Sequence, residues 1–153
     1  MIARAVPKTG PRRSRLLYVE EHAENVALVE ALLAGRKDLL LLHAADANLG
    51  IRLARSRRPE AILIDIDVDV DLAGMSALEF MKVLRADPAT ETTPVLALAA
   101  DTAPGAIVKA LEAGFFQVIA KPLRAAPFME ALAFALEFTA VERAEQNTFK
   151  ESR

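Results

Sequence analysis

Cysteine is absent from the 153 residues of this chain. Its absence excludes disulfide frameworks, thiolate metal sites, iron–sulfur clusters and cysteine nucleophiles, and it accords with a reducing compartment, here read as the cytoplasm. Histidine is almost as scarce, with only His22 and His43, so a histidine-rich metal site is not expected. No apolar run approaches membrane-spanning length, and the first residues contain no signal-peptide core. No Ser-His-Asp arrangement and no glycine-rich phosphate cradle stands out. Basic residues are sparse in the body of the chain. Five of the 19, Arg4, Lys8, Arg12, Arg13 and Arg15, fall in the first fifteen positions. The remaining 14 face all 21 acidic residues, a body charge of −7, which argues against nucleic-acid binding through the fold because phosphate contacts need basic surface. Residues 1–13, with Pro7, Gly10 and Pro11, read as a basic flexible leader.

What is present is a repeating alternation of short apolar runs and helical stripes. Hydrophobic residues make up 53% and charged residues 26%, a balance that fits one globular domain at this length. Four apolar runs, Leu16–Val19, Leu39–Leu42, Ala61–Ile64 and Val95–Leu98, read as strands, the continuous Leu39–Leu42 suiting one covered on both faces, and Phe116–Ala120 reads as a fifth. Between them lie helical patterns. One carries Val26, Val29 and Leu33 and closes at Gly35; the next carries Leu49 and Leu53 and ends in a cationic turn before Pro59. A capping box opens the third at Ser76-Ala77-Leu78-Glu79. Thr102 and Pro104 offer a cap and an early proline for the fourth. The last starts at Pro127 with Phe128, Leu132 and Leu136 along one face. Beyond Ala140 the composition turns polar, so residues 141–153 read as an extension after a domain at 14–140, a frayed helix or tail. Five strand–helix units require right-handed crossovers and a parallel sheet with helices on both faces. The fold class is therefore α/β, three-layered and doubly wound.

In such sheets the site lies beyond the carboxyl ends of the strands. There the sequence places Glu20 and Glu21 after strand one, Asp65 after strand three and Lys121 after strand five, with Asp67, Asp69 and Asp71 close behind Asp65. Clustered carboxylates repel unless a cation neutralises them, and oxygen ligands without His or Cys select Mg²⁺ or Mn²⁺. A lysine at the same edge suits a phosphoryl oxygen. The chemistry proposed is phosphoryl acceptance by an aspartate. A calcium loop at 65–69 or 67–71 fails at its sixth and twelfth positions, and an Asp-x-Asp phosphatase nucleophile fails at the fifth.

The order of these pieces resembles a receiver domain of two-component response regulators over about residues 14–138. The matching stretches are Leu-Leu-Tyr-Val-Glu-Glu at 16–21, Arg-Pro-Glu-Ala-Ile-Leu-Ile-Asp at 58–65, Gly-Met-Ser at 74–76, Arg-Ala-Asp-Pro-Ala-Thr at 85–90, Ala-Gly-Phe at 113–115 and Ala-Lys-Pro-Leu at 120–123. The wording is close to the C-terminal receivers of hybrid histidine kinases. The resemblance implies a flavodoxin-like (βα)5 fold with a five-stranded parallel sheet and no enzymatic activity of its own. It implies a phosphoryl group received from a histidine kinase or histidine phosphotransfer protein, Mg²⁺ held by Glu20, Glu21, Asp65 and the backbone carbonyl of Asp67, and Lys121 on the phosphoryl oxygens before a cis-proline. A homodimer through the face of the fourth helix, fifth strand and last helix would also fit the family.

Several positions depart from the family's pattern. Glu21 stands where the direct metal ligand is usually aspartate, and its extra methylene moves the carboxylate outward. The acceptor is Asp65 when counted forward through strand three and Asp69 when counted back from Gly74. A loop absorbs the four extra residues more cheaply than a central strand does, which favours Asp65. Ala99 replaces the hydroxyl residue ending strand four, and Val118 replaces the switching aromatic of strand five, so activation is expected to be atypical. The alternative is a degenerate receiver, acting as a phosphorylation-independent interaction module. His22 is expected at the surface, starting the first helix, and His43 as structural or solvated. Phe128, Phe134 and Phe138 are expected mostly in the core, any exposed remainder serving a partner.

Overall fold

The computed structural model describes residues 13–67 and 75–151. Asp69 and Asp71, together with most of the expected leader, lie outside the described residues. Strands β1 (Ser14–Val19), β2 (Leu39–Ala44), β3 (Ala61–Asp65), β4 (Val95–Ala99) and β5 (Gln117–Ala120) alternate with helices α1 (Ala23–Leu33), α2 (Ala47–Arg57), α3 (Ala77–Arg85), α4 (Pro104–Glu112) and α5 (Ala125–Glu151). All strand pairs are parallel, in the order β2-β1-β3-β4-β5. This is the doubly wound (βα)5 architecture expected from the alternation.

Side-chain alternation along the strands divides the interior in two. Leu17, Val19, Ile62, Ile64, Val95 and Ala97 face α2, α3 and α4, where Ile51, Phe80, Met81 and Leu84 meet them. Leu16, Tyr18, Leu63, Leu96, Leu98 and Ile119 face α1 and α5, against Val29, Phe128 and Leu132. Helix α2 approaches β1 closely because position 50 is glycine: a Cβ there would stand 2.8 Å from a methyl of Val19.

Helix ends follow local chemistry. The Ser76–Glu79 capping box forms in both directions, and Asp46 caps α2 by accepting the Leu49 N–H at 2.8 Å. Thr102 does not cap α4. Ala103 occupies that position without a side-chain bond, while Asp101 accepts the Ala103 N–H at 3.0 Å. The last helix begins two residues before Pro127 and continues through the polar stretch to Glu151. It is held at the far edge of the sheet, where Thr139 donates to the Glu60 carbonyl at 2.6 Å and Arg143 to the Glu60 carboxylate at 2.6 Å. Only Phe128 of the three late phenylalanines is in the core; Phe134 and Phe138 are 52% and 36% exposed, because they lie on the side of α5 turned away from the sheet.

Candidate functional site

The chain reverses its winding at β1, between β2 and β3, so the carboxyl ends of β1 and β3 flank the crevice of the sheet. Asp65 is the last residue of β3, in register with Leu98 of β4. Lys121 follows β5, one residue before a cis Pro122. The sheet brings their side chains together: Lys121 Nζ lies 2.5 Å from Asp65 Oδ2, and the same ammonium pairs with Asp67 Oδ2. The other oxygen of each acid accepts a backbone donor. Asp65 Oδ1 takes the Asp67 N–H at 2.9 Å, and Asp67 Oδ1 takes the Ala100 N–H at 2.8 Å.

The electrostatics follow from this sharing. Burial works against the charged form of Lys121, but hydrogen bonds and charge from Asp65 and Asp67 outweigh it and raise its pKa above the ordinary lysine value. Burial likewise opposes ionisation of Asp67, and the Lys121 and Ala100 donors overcome it, leaving that pKa lowered. Asp67 thus enters the site through its carboxylate; the expectation for it concerned its backbone carbonyl.

The two glutamates behave differently. Glu20 is buried, and its carboxylate accepts from the Tyr18 hydroxyl, the His22 backbone N–H, His22 Nδ1 and Asn25 Nδ2 at 2.9–3.4 Å. Burial would raise its pKa, and the His22 backbone N–H, Asn25 and the His22 ring lower it. Glu21 is exposed. His22 sits at the surface, as expected for the start of α1, and its pKa is raised, first by the hydrogen bond to Glu20. His43 Nε2 donates to the Glu20 carbonyl at 2.6 Å, a structural role. Among the described residues, no three His, Cys, Asp or Glu side chains converge closely enough to hold a metal ion. The acids expected to hold Mg²⁺ are thus not gathered as arranged here: Glu20 is committed to four donors, while Asp65 and Asp67 are neutralised by an ammonium.

Ala99 ends β4 without a hydroxyl, and Val118 is half-buried on β5. With both side chains small, a cleft of about 590 Å³ remains, lined by Ile66, Asp67, Ala99, Ala110, Phe115 and Val118 among others. The Asp67 carboxylate was the feature hardest to foresee. It was legible as an acid near the site, but nothing in its spacing tells whether a loop side chain turns in or out.

Comparison with known proteins identifies the family. The response regulator receiver domain family matches residues 16–133, and the chain belongs to that family: it is a receiver domain of two-component signalling. The sensory/regulatory protein RpfC of Xanthomonas campestris is 32% identical over 126 residues, covering 80% of this chain and 16% of RpfC, so the chain spans about a sixth of that relative. Among solved structures, a chemotaxis response regulator of Vibrio cholerae superposes with a TM-score of 0.70 at 22% identity, over 81% of this chain and 99% of that one. The receiver domain of a sensor histidine kinase from Pseudomonas aeruginosa, described with a magnesium ion coordinated in its active-site cleft, gives 0.66 at 25% identity over 84% and 98%. Among the described residues, no helix is long and apolar enough to cross a membrane.

Proposed function

We propose that this receiver accepts a phosphoryl group on Asp65 from a histidine kinase or histidine phosphotransfer protein in the cytoplasm, with atypical activation. The observation that carries the reading is the Asp65 carboxylate at the end of β3, 2.5 Å from the Lys121 ammonium. In the transfer, an Asp65 carboxylate oxygen bonds to phosphorus as the P–N bond to the donor imidazole breaks. The imidazole leaves neutral, keeping that electron pair on its nitrogen and the proton already on its other nitrogen. Lys121 stays protonated and offsets the charge on the phosphoryl oxygens. Mg²⁺ is the cation the family implies; Glu20, Glu21, Asp65 and the Asp67 carbonyl are the groups that would hold it, and no step is written through a metal.

Atypical activation rests on Ala99 and Val118, which supply neither a hydroxyl for the phosphoryl group nor a ring to rotate. The same two positions favour a second reading, the phosphorylation-independent interaction module. A homodimer through α4, β5 and α5 belongs to both readings, supported by exposed Leu111, Phe134, Phe138 and Val141.

Intact-mass spectrometry after incubation with acetyl phosphate, in Mg²⁺ and in EDTA, tests the proposal. A single phosphoryl adduct is expected on wild type and Asp69→Asn and none on Asp65→Asn. Loss only in Asp69→Asn would transfer the acceptor role to that residue. No adduct on any protein would leave the interaction module as the function.

A further inference from the structure

The Asp67 carboxylate does something that solvating a loop does not require. One oxygen accepts the Ala100 N–H at 2.8 Å, and the other pairs with Lys121, whose ammonium also holds Asp65. A phosphoryl group on Asp65 is tethered within one P–O bond of that carboxylate, so its oxygens must find donors in this small neighbourhood. Lys121 Nζ is one. The Ala100 N–H, just after β4, is a second, since Ala99 offers no hydroxyl, and the Asp67 N–H, already on Asp65 Oδ1, is a third. The Asp67 carboxylate holds the first two. It carries the sign of charge the phosphoryl group carries, and two anions sharing one ammonium repel strongly.

We infer that Asp67 is an internal anion occupying the donors a phosphoryl group on Asp65 would need, so that the receiver is self-occupied at rest. This inference rests on Asp65 being the acceptor. Phosphorylation then requires the Asp67 carboxylate to leave Lys121 and Ala100, which slows the reaction. It also leaves the donors in nearly the same arrangement before and after, because one anion replaces another.

Two substitutions separate the parts of this role. Asp67→Asn keeps an oxygen for the Ala100 N–H and removes the charge. Asp67→Ala removes both. The experiment follows acetyl phosphate labelling of wild type and both variants in Mg²⁺ by intact mass, with the Ala100 amide signal followed by ¹H–¹⁵N NMR. Both variants are expected to gain the Asp65 adduct at least about tenfold faster than wild type. The Ala100 signal should move in Asp67→Ala and return toward its wild-type position on phosphorylation, as a phosphoryl oxygen takes the vacated place. Equal or slower labelling of the variants, or an Ala100 signal unmoved by Asp67→Ala, overturns the inference while leaving Asp65 as acceptor. No adduct on any of the three proteins overturns the acceptor assignment and this inference with it. Should Asp67→Ala fail to fold, the rate for Asp67→Asn decides alone.

Discussion

Glu20 holds its proton less tightly in the folded chain than in the unfolded one, because the His22 backbone N–H, Asn25 and the His22 ring donate to its carboxylate and outweigh its burial. The unfolded state therefore binds more protons across the carboxylate range, and stability rises with pH there. The contribution is full above the ordinary glutamate value and is lost as pH falls through the lowered folded one; Asp67, also lowered, adds in the same sense. Urea midpoints measured from neutral pH down into the acid range should fall for wild type and fall less steeply for Glu20→Gln. An equal slope in both would remove Glu20 from the account. At this scale the sequence disclosed which acids crowd the sheet edge but not how they are satisfied. Glu20 looked like a metal ligand because strand-end position is legible; its partners Tyr18, His22 and Asn25 were not, since they depend on how the first turn of α1 folds back over the strand.

Gly50 shows how an element is placed by a single missing atom. A methyl there would press on Val19 at 2.8 Å, and both positions are buried between α2 and β1, so neither neighbour yields freely. Overpacking of this kind costs about 1–3 kcal/mol, against roughly 1 kcal/mol gained by replacing a helical glycine with alanine. The net expectation for Gly50→Ala is a loss of up to about 2 kcal/mol in chemical denaturation. On a Val19→Ala background the same change should turn neutral or stabilising; an unchanged penalty there would show that the strain lies elsewhere. Element existence was readable throughout, because buried parallel strands leave uninterrupted apolar runs and the helices between them leave stripes. Boundaries were less so. Thr102 looked like a cap, yet the turn before α4 is closed by Asp101, two residues before Ala103, which gives no helical signal. The polar composition past Ala140 hid a helix that Arg143 ties to Glu60, a contact distant in sequence and therefore invisible to any local pattern.

At the scale of the whole molecule, α5 presents Phe134, Phe138 and Val141 outward, alongside Phe116. If this face pairs with a second copy, sedimentation of the wild-type chain should show association on raising its concentration, and Phe134→Glu with Phe138→Glu should hold it monomeric with its fold intact by circular dichroism. A monomer at every concentration for both would withdraw the homodimer. The same helix has a second property. It starts four residues after Lys121, at the edge that carries Asp65, and its 27 residues span about 40 Å at 1.5 Å per residue, passing Glu60 at the opposite edge, where Arg143 and Thr139 fasten it. One continuous helix thus joins the Lys121 edge of the sheet to the Glu60 edge, seated between them by Phe128, Leu132 and Ala135, so the two ends of the strands share a single element.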